Sequence, residues 1–169
     1  MLTTEAMRDH VNELGQSFNV KVIQTSMDPE LAHAGQFMRR CDTCGQNNRL
    51  SRPGKVRCGR CKSDLGESRT VGYIKIAQVT DDARYAIALH ELGHRLAPWG
   101  GFFHELSRDM RNTGQFSTMR DVRLRLEEER AAWDWAEKNA LDWTITMEHV
   151  KQLSLASYGA MAARYGVKP

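Results

Sequence analysis

The sequence predicts an α+β fold: a small sheet with several helices, interrupted by one compact insertion. Three observations lead there. Four segments carry a helical apolar period. Two short segments, 18–23 and 70–77, alternate well enough to be strands. Between those strands lies an island, residues 38–66, rich in Cys, Arg, Gly and Asn and poor in large apolar side chains. The chain therefore divides into 1–37 (N-terminal helix and first strand of the core), 38–66 (the insertion) and 67–169 (the remaining core with its helices).

Each element has a local reason. Residues 3–17 place Ala6, Met7, Val11 and Leu14 at steps of three and four, and Gly15 stands near the stop. Phe18 to Ile23 is the first strand and Thr70 to Ala77 the next. Thr80-Asp81-Asp82 supplies helix-start chemistry, and that helix runs on until Pro98. Residues 98–118, with Gly100-Gly101 and Asn112-Thr113-Gly114, show no clean period and read as loop. Helices follow over 120–141 and 144–164. The last carries Met147, Val150, Leu153, Ser157 and Met161 on one face.

The 169 residues, 41% hydrophobic and 27% charged, are enough to bury a core and too apolar for a disordered chain. No apolar run approaches the length of a membrane span, and the N-terminus lacks the apolar stretch of a secretory signal. The expectation is a cytoplasmic protein with no membrane partner. A net charge of +3 argues on its face against a dedicated nucleic-acid binder, although an average can hide a patch.

The four cysteines settle what the island is for. Cys41-Asp42-Thr43-Cys44 and Cys58-Gly59-Arg60-Cys61 are two C-x2-C knuckles with 13 residues between them. Two intervening residues let a tight turn aim both sulfurs at one ion, and Zn²⁺ takes four thiolates tetrahedrally. Gly45 and Gly59 suit such turns. A reducing compartment disfavours the alternative of two disulfides. The expectation is a structural Zn²⁺ held by Cys41, Cys44, Cys58 and Cys61. The stretch 41–65 resembles small zinc ribbons, particularly the N-terminal ribbon attached to some thioredoxins.

Charge gathers on the same segment. Arg39, Arg40, Arg49, Arg52, Lys55, Arg57, Arg60 and Lys62 stand against Asp42 alone, which is +7 over 39–62 and leaves −4 for the rest. Four thiolates around Zn²⁺ would bring the ribbon to about +5. A phosphate backbone is one partner that rewards such a patch, and an acidic protein is another. No aromatic lies between residues 38 and 72, so base stacking is not indicated.

The second chemical feature is His90-Glu91-Leu92-Gly93-His94, an H-E-x-x-H motif. On a helix the two histidines lie one turn apart on one face, so both imidazoles can reach one Zn²⁺. Glu91 beside them can take a proton from the attacking water and later deliver it to the leaving amine. Tyr85, Leu89, Leu92 and Leu96 form an apolar stripe on another face, so the helix can anchor on one side and present ligands on the other. His104-Glu105-Leu106 repeats the first three letters, but Arg108 stands where a second histidine would be needed. A loop segment is the simpler reading there.

A third ligand must come from elsewhere, and Glu127, Glu128 and Glu129 are the candidates. Helical phase separates them. With Val122 at zero and about 100° per residue, Leu126, Trp133, Ala136 and Ala140 fall within roughly 40° of it. Glu129 falls at about −20°, inside this stripe; Glu128 lies near −120° and Glu127 near +140°. A carboxylate on a buried stripe is costly unless paired or metal-bound. Glu129 is the first choice and Glu128 the second; the competing reading for Glu129 is a buried salt bridge to an arginine.

With these residues in place, the chain resembles the ImmA/IrrE-type zinc metallopeptidases. Tyr73 to His94 looks like their strand and H-E-x-x-H helix. Glu129-Arg-Ala-Ala-Trp-Asp-Trp-Ala136 looks like their Glu-x-x-Ala-Asn-x-Phe-Ala helix. The likeness covers about 70–136. It departs in Trp133, where the family tends to have Asn, and in the inserted ribbon. The resemblance implies a zincin-like metallopeptidase core, puts Glu129 at the ligand position, and implies proteolysis of regulatory proteins such as repressors, often in phage or mobile-element settings. SprT-like proteases also combine H-E-x-x-H with a ribbon, but their third ligand is His and their ribbon follows the catalytic helix.

Two functions are expected from these features. One is a zinc metallopeptidase acting on a protein substrate, with one catalytic Zn²⁺ on His90, His94 and Glu129, Glu91 as base, one structural Zn²⁺, and the basic ribbon recruiting substrate. The other is a non-enzymatic ribbon module that binds nucleic acid or an acidic protein. For oxyanion stabilisation His104, His149, Tyr85 and Tyr158 are the candidates.

Overall fold

The computed structural model describes residues 2–25, 33–36, 38–49, 54–68, 72–96 and 118–167. Among them it is a mixed α+β structure of helices and small sheets. The segment 98–117, with His104, and Arg52 lie outside the described residues. The chain forms two compact units, Arg8–Gln78 and Met1–Met7 with Val79–Pro169. No helix among the described residues is long and apolar enough to cross a membrane.

The first unit holds most of helix α1 (Thr4–Ser17) and a three-stranded sheet in the order β1 (Val20–Thr25), β7 (Gly72–Ala77), β2 (His33–Gln36). Strand β7 is parallel to β1, from Val20↔Gly72 to Thr25↔Ala77, and antiparallel to β2. Its Ile74 and Ile76 are buried while Tyr73 and Lys75 are only partly so, the alternation expected of a strand with one covered face. Helix α1 lies against β1. The Gln24 amide donates to the Arg8 carbonyl at 3.5 Å and to Asn12 Oδ1 at 3.4 Å. Gly15, expected as a stop signal, does more than that. A Cβ there would collide with the Val22 side chain and the Val20 carbonyl. The first strand starts two residues later than expected because Phe18 and Asn19 form the turn, with Asn19 at φ +60°.

Strands β2 and β7 are antiparallel neighbours, and the ribbon is strung between them in the chain. It consists of two hairpins, β3 (Met38–Arg40) with β4 (Asn47–Arg49) and β5 (Gly54–Arg57) with β6 (Asp64–Ser68). Among its described residues only Cys41 and Cys58 are buried apolar ones. Those described residues include no apolar core beyond the two cysteines, so something other than apolar burial must hold them together.

The second unit is helical: α2 (Asp82–Leu96), α3 (Met119–Asn139) and α4 (Ile145–Arg164). These bounds lie within two residues of the expected ones, because each start is chemically marked. The Asp81 carboxylate accepts from Arg84 N at 2.9 Å. Thr118 Oγ1 accepts from Asp121 N, and Thr144 Oγ1 from Met147 N. Helix α4 ends at Gly166, φ +69°, where Val167 N reaches back to the Ala162 carbonyl. Val122, Leu126, Ala162 and Val167 pack as one cluster. The face of α4 that carries Met147 is only partly buried. Met147 and Ala162 are the buried residues of the helix, whereas Leu153 is 60% exposed.

The contact that positions the site is α2 against α3. Tyr85, Leu89 and Leu92 of the expected stripe are all fully buried, and the Tyr85 hydroxyl accepts from Leu141 N at 3.1 Å. Gly93 lies directly on Ala132. A Cβ at position 93 would stand 2.5 Å from the Ala132 carbonyl oxygen and 3.0 Å from its Cα. Both obstacles are backbone and cannot step aside. Gly93→Ala should therefore push the helices apart and cost about 1–3 kcal/mol, the range for overpacking a tight core. Urea denaturation would show this as a lower midpoint; an unchanged midpoint would contradict the close crossing.

Candidate metal centres

The close crossing at Gly93 brings the α2 histidines onto the buried stripe of α3. His90 Nε2 stands 3.2 Å from Glu129 Oε2, and His94 Nε2 stands 3.4 Å from Glu129 Oε1. The two Nε2 atoms are 3.0 Å apart. His90, His94 and Glu129 form a group whose donor atoms could hold one metal ion. Donors bound at the usual zinc distances to nitrogen and oxygen sit about 3.3 Å from one another in a tetrahedron. The three separations here lie close to that value.

Burial sharpens the point. Glu129 has no exposure and His90 is 6% exposed. Neither Glu129 oxygen has an aligned hydrogen-bond donor among the described residues, and neither does the Nδ1 of either histidine. Arg125 Nη2 lies 2.7 Å from Glu129 Oε1 as an ion pair. The arginine that the competing reading of Glu129 invokes is thus present, yet the carboxylate still faces both imidazoles. This donor set, two imidazoles and one carboxylate, fits Zn²⁺.

Glu128 is not in that group. Its Oε2 accepts from Arg125 Nη1 at 2.7 Å, and its Oε1 stands 3.6 Å from His94 Nδ1, on the far side of the ring from Glu129. It is placed to orient His94 rather than to ligate beside it. The charges respond accordingly. Burial would raise the Glu129 carboxyl, but the two histidines and Arg125 hold it well below the ordinary carboxylate range. Burial pushes His90 down. Burial also opposes charge on His94, but Glu128 and Glu129 outweigh it and raise its pKa to about 9. Proton and metal ion therefore compete for the same nitrogens.

Glu91 is half-buried on α2, and its charge acts on His90. Of the groups considered for oxyanion stabilisation, Tyr85 is engaged with the Leu141 amide and fully buried. His149 is exposed on α4. Tyr158 is half-buried, with the Arg125 guanidinium carbon 5.8 Å from its ring centre. Sequence reasoning passed over Arg125, although its spacing of three and four from Glu128 and Glu129 is the pattern of helical ion pairs.

The four cysteines form the second group that could hold an ion. Cys41 and Cys61 sulfurs are 3.5 Å apart, as are those of Cys44 and Cys58. That is far beyond a disulfide bond of about 2 Å and close to the roughly 3.8 Å edge of a zinc–thiolate tetrahedron. Both knuckles are built alike. Cys41 N bonds to Gln46 O and Gly45 N to Cys41 O; Cys58 N bonds to Ser63 O and Lys62 N to Cys58 O. The left-handed position is Gly45 (φ +71°) in the first knuckle and Lys62 (φ +63°) in the second. The expected turn role of Gly59 is thus taken by Lys62. Gly59 instead donates its N–H to Asn48 Oδ1 at 2.8 Å, and Asn48 Nδ2 lies 3.7 Å from Cys58 Sγ.

Ser63 Oγ touches Cys41 Sγ at 3.1 Å and Cys61 Sγ at 3.0 Å. That contact holds the Cys41 thiol down at about 6. The Gln46 amide favours the Cys44 thiolate, yet burial and the other sulfurs push Cys44 up to about 12. Four thiolates so close together need a cation to coexist.

Of the basic patch, part lies on described strands and turns. Lys55, Arg57, Arg60 and Lys62 are exposed, but Lys55 pairs in register with Glu67, and Arg57 with Asp64. Over 38–69 nine basic residues stand against Asp42, Asp64 and Glu67, a net +6, or about +4 with four thiolates around Zn²⁺. Arg39 and Arg40 lie on β3 and Arg49 on β4.

No family model, curated protein or solved structure matches the chain.

The two groups should load separately. Metal analysis of the full chain should find about two ions, one per group. Glu129→Gln should remove one and a Cys41→Ser, Cys58→Ser double variant the other. Unchanged metal content in the Glu129 variant would contradict the assignment of that site.

Proposed function

We propose that the chain is a zinc-dependent metallopeptidase that hydrolyses a peptide bond in a protein substrate. The observation that carries this reading is the convergence of His90 and His94 with the fully buried Glu129, on a helix that also carries Glu91. Two imidazoles and one carboxylate are a catalytic set, because they leave a coordination position for substrate or water. When bound there, Zn²⁺ would supply Lewis acidity toward a carbonyl and lower the pKa of water.

The protein groups do the rest. Glu91 takes a proton from the attacking water as the water oxygen bonds to the carbonyl carbon. The C–N bond then breaks, and Glu91 returns the proton to the departing amine. Arg125 pairs with both Glu128 and Glu129 and keeps the two carboxylates from repelling each other. The ribbon recruits the substrate through its remaining positive charge, taking an acidic protein or a regulatory protein bound to nucleic acid. The resemblance to ImmA/IrrE-type peptidases agrees with this reading over 70–136.

Glu91→Gln is the direct test, with a pool of quenched fluorescent peptides as probe. It should keep both metal ions and lose about 10²–10⁴-fold in hydrolysis, the usual worth of a general base. A wild-type chain with both ions bound but no hydrolysis above the Glu91→Gln background would favour the non-enzymatic ribbon module instead.

A further inference from the structure

The two histidines have different neighbours: a carboxylate beside His94 and an indole beneath His90. His94 has a carboxylate, Glu128, on the far side of its ring. Neither buried Nδ1 makes a hydrogen bond among the described residues, but only that of His94 has a carboxylate within 4 Å, Glu128 at 3.6 Å. A histidine that ligates a metal ordinarily donates its second ring nitrogen to a carboxylate or carbonyl, which fixes the ring's rotation.

The His90 ring lies instead on the indole of Trp133. The ring centres are 4.2 Å apart and the planes are inclined by 20°. Trp133 is 1% exposed and is the largest fully buried side chain among the described residues. Its Nε1 donates to Ser154 Oγ of α4 at 3.1 Å, so the indole is anchored in its turn. Trp133 follows Glu129 by one helical turn on the same stripe of α3. One helix face thus supplies both the carboxylate and the platform. Stacking on this platform opposes tilting of the ring about its Cβ–Cγ bond, and Nε2 is directed at Glu129 Oε2, 3.2 Å away. His94 meets His90 edge-on, with ring planes at 73°, which leaves the indole as the only aromatic face parallel to His90 among the described residues.

We propose that Trp133 is a positioning residue of the His90–His94–Glu129 centre, fixing the His90 imidazole by stacking where a hydrogen bond to Nδ1 would ordinarily do so. This rests on the reading of those three residues as a metal site.

The test measures zinc affinity of the full chain by competition with a chromogenic chelator, with the zinc of the cysteines as internal control. Circular dichroism reports folding. Trp133→Leu keeps the position apolar but gives up volume and removes the platform, and should weaken the histidine site by about 10–100-fold while the cysteine site is unchanged. Trp133→Phe restores a flat face and should bring affinity back to near wild type. Trp133→Met, of similar volume but longer and more adaptable, is measured in place of leucine if the leucine variant does not fold. The cobalt absorption of the histidine site should change in the leucine or methionine variant and not in phenylalanine. A folded leucine or methionine variant with wild-type affinity would overturn the proposal, as would a phenylalanine variant as weak as it. A wild-type chain that binds zinc at its cysteines alone would overturn the metal-site reading itself.

Discussion

A carboxylate with no exposure to water is the constraint around which the helical unit is arranged. Glu129 lies at the crossing of α2 and α3, among Val122, Leu126, Trp133 and Ala136 of its own stripe. Taking a lone carboxylate out of water costs several kcal/mol, so a fold that does this must return the interaction in full. Arg125 answers part of the charge. Two imidazole nitrogens stand against the two oxygens, and those nitrogens are 3.0 Å from each other. A divalent cation would answer all three donors at once. The arrangement depends on Gly93, because any side chain there would strike the Ala132 backbone and carry the histidines away from Glu129.

The ribbon faces the same problem in another chemistry. Its described residues bury almost nothing apolar except Cys41 and Cys58, and its four sulfurs are too close to ionise together unaided. In both places polar groups are held where water cannot serve them, and in both the donor spacing suits one zinc ion. The elements around them divide the labour. Asn48 and Ser63 address the sulfurs of the ribbon; Glu128, Arg125 and Trp133 address the imidazoles and carboxylate of the helical unit.

Much of this was legible in the sequence, for identifiable reasons. Helix starts at Asp81, Thr118 and Thr144 are written in side chains that cap their own backbone, so the bounds could be read locally. Glu129 stood out because its phase on α3 conflicts with its charge. The knuckles were legible from spacing alone. Other features depend on contacts that no local pattern encodes. Strand β2 is recognisable only by its pairing with β7. That Lys55 stands opposite Glu67, and Arg57 opposite Asp64, depends on the register of β5 with β6. The period puts Leu153 on one face with Met147, but only contacts decide that Met147 is buried there and Leu153 is not. Lys62 took the left-handed position because the two knuckles share a backbone plan that places that conformation four residues after Cys58, whatever the side chain.

The central claim is that Glu129 is buried in order to share a metal ion with His90 and His94. Anomalous diffraction from crystals of the zinc-loaded chain, recorded on both sides of the zinc absorption edge, tests it most directly. The account predicts two peaks, one among the four cysteines and one between His90, His94 and Glu129. A single peak at the cysteines, with Glu129 paired to Arg125 alone, would contradict it.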